Sequence, residues 1–314
     1  MRSPLCISST YRKWGADSAT QPLNGAHAVR KPDLSCWLAP DSKFDWRHLA
    51  TFAEVKNRDG KDNEKSSYIE TAGKMSCLLY AQDGRHSAPC IRILGSRIYL
   101  TIFDRGGSLS TCGYDIHRFP HDFLRILIGV TSASLHVLGF DVLIDWRQTF
   151  RDGDRSPVDV KEIKIQVDPI TQYIIKLTKV LFISDNLFGR GTTVWGGVTE
   201  IGEVVVKDSW IDPLRKYMEG YILRVLNAHK IEGVPTLIHE QQVRAPYPST
   251  IKNLPVNSST HFVRSDLNHA QYEASNYYLR TLSRLVTQPI GDLITEFSCL
   301  GELLVAFVDY IAGE

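Results

Sequence analysis

The chain has 314 residues, 43% apolar and 23% charged, with a formal net charge of +1. That mix is ordinary for a globular chain. The near-zero charge excludes a bulk field that would gather nucleic acid or an acidic membrane surface, leaving room only for a local basic groove.

The length fits about two domains. The cysteines (Cys6, Cys36, Cys77, Cys90, Cys112, Cys299) form no C-x-x-C pair, so zinc-knuckle spacing is absent. The opening MRSPLCISSTYRKWG has no apolar core suited to a signal peptide, and the apolar stretch from Phe123 to Ile144 is broken by Arg125, His136 and Asp141. An intracellular protein, cytoplasmic or nuclear, with reduced thiols and no membrane span is expected. The sequon at Asn257 would then carry no glycan.

In chain order, residues 1–30 are polar and aperiodic and read as a flexible lead-in. Residues 31–150 read as a mixed α/β domain. Strands are expected in DLSCWLA and LATFAEVK, a charged loop in NRDGKDNEK, and a helix over 66–82. CIRILG and RIYLTIFD form a hairpin turning at Gly95-Ser96, Pro120 opens a second helix, and LHVLGFDVLI reads as further strand. Asp104-Arg105 reads as a strand-end ion pair before a glycine turn. His117 and His121 are four apart, but the intervening Pro120 breaks the turn a metal pair would need.

Residues 151–157, RDGDRSP, form the linker candidate. Residues 151–290 read as a second unit: strands in EIKIQV and YIIKLTKVLFI, a glycine-bearing loop FGRGTTVWGG, and the strand EVVVK. Asp212-Pro213 predicts a helix start, with Leu214, Tyr217, Met218, Tyr221, Ile222, Val225 and Leu226 on the buried face. Residues 242–275 read as a long polar insertion, and the closing stretch SCLGELLVAFVDYIAGE of 291–314 puts Leu300, Leu303, Leu304, Phe307, Val308 and Ile311 on one apolar face.

Three features of the second unit fall in a suggestive order. Gly189 and Gly191 sit between strands, where backbone N–H groups can approach phosphates. Lys207 ends the next strand and supplies a positive point charge. Glu219, on the helix after it, is placed to hold that lysine toward ATP. The strings LFGRGTTVWGG, VVVKDSW, MEGYILRVL and GVPTLI resemble the fungal-type protein kinase family. So do CIRILGSRIYLTIFDRGG, FLRILIGV and LGFD before them and SRLVTQPIGDLITEFSCLGELLVAFVDYI after them, so that the resemblance covers roughly Pro32 to Ile311.

The resemblance implies a kinase N-lobe, an antiparallel sheet with one helix, over 151–290, and the start of a C-lobe over 291–314. It implies a Ser/Thr-type phosphotransferase acting on a protein substrate, with ATP and Mg²⁺ as cofactors. Gly189 and Gly191 would belong to the phosphate-covering loop, with Lys207 the ATP lysine and Glu219 its partner. Val194 departs from the pattern, standing where a third glycine is usual. After Glu219 the sequence contains no His-x-Asp loop and no Asp-Phe-Gly, the segments that supply base and metal ligands. The chain is therefore expected to be truncated and inactive alone, with its last apolar helix exposed and open to self-association.

A second constellation lies in the first unit. Pro32-Asp33 followed by Glu54-x-Lys56 matches the PD-(D/E)xK pattern of restriction-endonuclease-like folds. Asp33 and Glu54 would share a Mg²⁺ while Lys56, on the same strand face, steadies the attacking water. The alternative functions are thus a Mg²⁺-dependent nuclease, with nucleic acid as partner, or a non-catalytic binding module. The fold class read from the whole is α+β.

Overall fold

The computed structural model describes residues 12–38, 44–141, 143–150, 157–166, 172–245, 258–261, 277–291 and 294–312. The linker candidate, except Pro157, and most of the 242–275 insertion lie outside the described residues.

Alternation along the second half of β3 (Leu49–Lys56) sets the faces of the first sheet. There Phe52, Glu54 and Lys56 point to one face while Ala53 faces the other. β3 pairs with β2 (Leu34–Trp37), which pairs with β1 (Trp14–Gly15), so the segment read as a lead-in supplies an edge strand, and Leu23 is buried. β3 also runs parallel to β4 (Ser87–Leu94), a pairing that requires a crossover; α1 (Lys61–Ala81) provides it. β4 and β5 (Arg97–Asp104) form the hairpin turning at Gly95-Ser96, and β6 (Gly107–Ser110) and β7 (Tyr114–Asp115) both pair with β5. Trp46, Phe52, Met75, Leu78 and Phe103 fill the core on the α1 side. On the opposite face α2 (Pro120–Ser132) lays Phe123, Ile126 and Leu127 against Ala53, Ile91 and Ile98.

Two expectations for this unit need correction. α1 starts at Lys61 rather than 66, because the polar residues that read as loop include Asp62 and Glu64, which favour a helix N-terminus. LHVLGFDVLI does not form a strand along its length. Residues 135–139 turn, Gly139 adopts φ +89°, and only Ile144 opens a strand. A Cβ at Gly139 would lie 2.0 Å from the Ser87 carbonyl oxygen, so the alternating apolar residues yield to a close backbone approach.

The second sheet is antiparallel throughout, in the order β13-β14-β12-β11-β10-β9-β8. Its strands are β8 (Ile144–Phe150), β9 (Pro157–Gln166), β10 (Gln172–Ile183), β11 (Thr193–Thr199), β12 (Gly202–Ile211), β13 (Thr236–Gln242) and β14 (Thr281–Gln288). Ile163, Ile175, Trp195, Val204, Val206 and Val286 make its core. The single helix between β12 and β13, α3 (Glu219–Ala228), begins well after Pro213. Asp212 caps only one turn, accepting from Leu214 N–H at 2.9 Å, and the helix itself starts at Glu219. Of the face expected to be buried, Leu214 is 88% exposed and Tyr217, Tyr221, Ile222 and Val225 are exposed as well; Gly220 and Leu223 turn inward instead. The final helix, α4 (Leu300–Ala312), leaves Leu300, Leu304, Phe307 and Val308 exposed. No helix among the described residues is long and apolar enough to cross a membrane.

Buried charge joins the sheets. Asp83, just after α1, accepts from Lys161 of β9 at 2.6 Å and from the Trp195 indole N–H at 2.7 Å. Arg284 of β14, fully buried, donates from Nε and Nη2 to the two Asp208 oxygens at 2.7 Å and from Nη2 to Asp141 at 2.8 Å. His86 closes the junction, with its ring edge-on to Trp210 at 5.6 Å and Nδ1 3.1 Å from Ser258 Oγ. The architecture is mixed α+β.

Candidate functional site

The alternation of β12 decides where Lys207 points. Val204, Val206 and Asp208 face the core and the inter-sheet junction, so Lys207 projects from the other face. Directly opposite it in register stand Val194 of β11 and Leu285 of β14, and Val194 in turn stands opposite Phe182 of β10. Antiparallel partners share a face, so an apolar floor runs beside the lysine. Glu219, the first residue of α3, places both carboxylate oxygens 2.7 Å from Lys207 Nζ. The side chains are 28% and 46% exposed, so the pair adds at most about 1 kcal/mol to stability. Its effect is to fix where the ammonium sits.

The loop between β10 and β11 gives its two glycines different surroundings. Gly189 has φ +103° and open space where a Cβ would lie. Gly191 has φ +45°, and a Cβ there would meet Arg105 Nε at 2.4 Å. The loop thus leans on the turn after β5. Arg105 Nη1 donates to the Asn186 and Leu187 carbonyls at 2.7 and 3.2 Å, Arg105 O accepts from Gly189 N–H at 3.0 Å, and Phe188 stacks on Phe103 at 6.5 Å. The expected Asp104-Arg105 strand-end pair takes another form. Asp104 accepts from Gly106 N–H at 2.8 Å, while the Arg105 guanidinium reaches across to the loop.

The Asp33, Glu54 and Lys56 set lies under α1. Asp33 Oδ2 accepts from Val55 N–H at 2.8 Å. Glu54, 1% exposed, is ion-paired to Lys74 of α1 and to Lys56 at 3.3 Å, and Lys56 bonds Glu70 at 2.7 Å. Glu70 and Lys74 escaped sequence reading because they lie in a helix without an apolar stripe; their four-residue spacing was the available signal. Among the described residues no three His, Cys, Asp or Glu gather in a way that could hold a metal ion.

Burial pushes the Glu54 carboxyl up to about 7, with Glu70 adding to the shift and Lys74 opposing it, while the Glu54 hydrogen bond and Lys56 hold Glu70 down to about 2. The two carboxyls share one hydrogen bond, so their titration belongs to the pair, with Glu54 raised and Glu70 lowered. Between about pH 4.5 and 7 the folded state therefore binds more protons at Glu54 than the unfolded chain does, so stability from this group falls as pH rises. Glu70 acts in the opposite sense, losing its contribution only as pH falls below about 4.5 toward 2. Urea unfolding across the upper window is expected to show that decline in the native chain and a flatter profile in Glu54→Gln; an equal slope in both would remove Glu54 as its source.

Sequence reasoning also missed Asp208, Trp210, Arg284 and Asp141. Asp208 and Trp210 belong to the same KDSW string as Lys207, yet they face the first sheet. Burial opposes the Asp141 charge, but Arg284 and His86 hold its carboxyl well below the usual carboxylate range. A cleft of about 460 Å³ between β5 and α2, lined by Leu100, Ile102, Tyr114, Arg125 and Ile126, shares no residue with either cluster. Comparison with known families matches residues 34–314 to the model described as fungal protein kinase. No curated protein and no solved structure matches the chain.

Proposed function

The chain belongs to the fungal protein kinase family, and we propose that its second sheet binds the phosphates of ATP through Lys207, held in place by Glu219. The observation that carries this reading is the Lys207 ammonium, 2.7 Å from both Glu219 oxygens, on a sheet face shared with Val194 and Phe182. An ammonium fixed on an apolar floor suits a ligand with a flat ring at one end and negative charge at the other. The residues present fit the nucleotide: Gly189 leaves its backbone clear, and Lys207 supplies the charge. When bound, ATP would supply a phosphoryl group, and the family makes a protein hydroxyl its expected acceptor. Mg²⁺ would arrive on the phosphates, because no three His, Cys, Asp or Glu among the described residues gather to hold it.

The 314 residues contain no His-x-Asp loop and no Asp-Phe-Gly after Glu219. In this reading they hold nucleotide without a base for the acceptor hydroxyl. Calorimetric titration should show Mg-ATP binding more tightly than adenosine, since the lysine acts on phosphate. Equal affinity for the two would contradict the role of Lys207. The nuclease reading of Asp33, Glu54 and Lys56 has less support. Lys74 and Lys56 occupy the Glu54 carboxylate, and the Val55 N–H takes one Asp33 oxygen.

A further inference from the structure

We infer that the first sheet is the anchor of the phosphate-covering loop, and that Arg105 is the positioning residue that sets the loop's height above Lys207. The inference rests on the nucleotide reading of Lys207. A glycine-rich segment between two strands has little to hold it, since each glycine removes a side chain that could pack. Here the missing contacts come from outside the second sheet. Leu187 packs into the core under α1, Phe188 stacks on Phe103, and Arg105 grips the Asn186 and Leu187 carbonyls. On the far side of the loop the Trp210 N–H donates to Arg190 O at 2.8 Å, joining it to the lysine strand.

The two glycines divide the work. Gly191 exists because Arg105 occupies the space a side chain would need, and Gly189 is left open toward a ligand. Arg105 is 4% exposed, and its Nε has no hydrogen-bond partner among the described residues. Burial lowers its pKa to about 10. A buried cation held chiefly by carbonyls is costly, and it is retained where it fixes the backbone whose carbonyls it takes. Losing it frees residues 186–191 to shift, and a backbone N–H that moves off a phosphate oxygen forfeits a hydrogen bond to a charged group, about tenfold or more in affinity.

The test compares Mg-ATP and adenosine affinities of the native chain, Arg105→Ala and Arg105→Lys, together with amide exchange across 186–191. Arg105→Ala should weaken Mg-ATP binding by about tenfold or more, the scale of one lost hydrogen bond to a charged group, leave adenosine nearly unchanged, and speed exchange in the loop. Added methylguanidinium should restore part of the ATP affinity. Parallel loss of ATP and adenosine would reduce Arg105 to a general structural role, and unchanged ATP affinity would overturn the inference. If Arg105→Ala does not fold, Arg105→Lys is read in the same way, because its ammonium sits on a side chain one atom shorter and falls short of the position from which Nη1 reaches both carbonyls. If the native chain binds no Mg-ATP while its loop exchanges slowly, the nucleotide reading has failed and takes this inference with it.

Discussion

Replacing Arg284 with Met should cost about 3–5 kcal/mol, the scale for leaving buried charge without its partner. Asp141 and Asp208 would then face each other in a closed junction, both almost fully buried. At about 2–4 °C per kcal/mol for a chain of this size class, the melting temperature should fall by roughly 6–20 °C. Removing Asp141 alone should do less, because Arg284 keeps both of its bonds to Asp208. A double-mutant cycle between Asp141 and Arg284 should show coupling above about 1 kcal/mol; additive losses would mean that the pair does not join the sheets. The sign with pH follows from the depressed Asp141 carboxyl: its contribution is complete above the ordinary carboxylate range and is lost only as pH falls toward its folded value.

Lys207→Ala is expected to remove the stabilisation that Mg-ATP gives the native chain. At a hundredfold excess over Kd, a ligand confined to the folded state adds about 2.7 kcal/mol, and the lysine variant should forfeit most of it. Glu219→Gln should retain part, because the ammonium stays in place but loses its bidentate restraint. Neither substitution should cost more than about 1 kcal/mol without nucleotide, since the pair is partly exposed. That contrast separates a ligand-directed pair from a structural one.

Much of the strand pattern was legible because it depended on local alternation. LATFAEVK became β3 residue for residue, and the hairpin turned where Gly95-Ser96 indicated. Failures came where tertiary contacts overrode local signals. Asp212-Pro213 carries a sound helix start, but the chain spends it on one turn. The KDNEK run reads as loop, yet it begins a helix. Ser67, Thr71 and Lys74 are buried on a helix with no apolar stripe, so periodicity could not show that α1 covers Glu54.

The site was legible only in part, for a similar reason. Lys207 and Glu219 could be paired because strand and helix follow each other. Arg284 and Asp141 lie far apart in sequence, and a single arginine in a strand resembles a solvated one. Arg105 looked like half of a local ion pair, because nothing in the sequence says that the glycine loop will lie against it. Residues in GRGT, KDSW, LGFD and FDRGG meet where the first sheet touches the second, so these strings carry docking residues beside the lysine and glycines.

The most direct measurement is the melting temperature of the native chain and of Lys207→Met, each with and without saturating Mg-ATP. The account predicts a rise of several degrees in the native chain and none in the variant, with the two melting closely together when nucleotide is absent. An equal rise in both proteins would place the nucleotide elsewhere and contradict the assignment of Lys207.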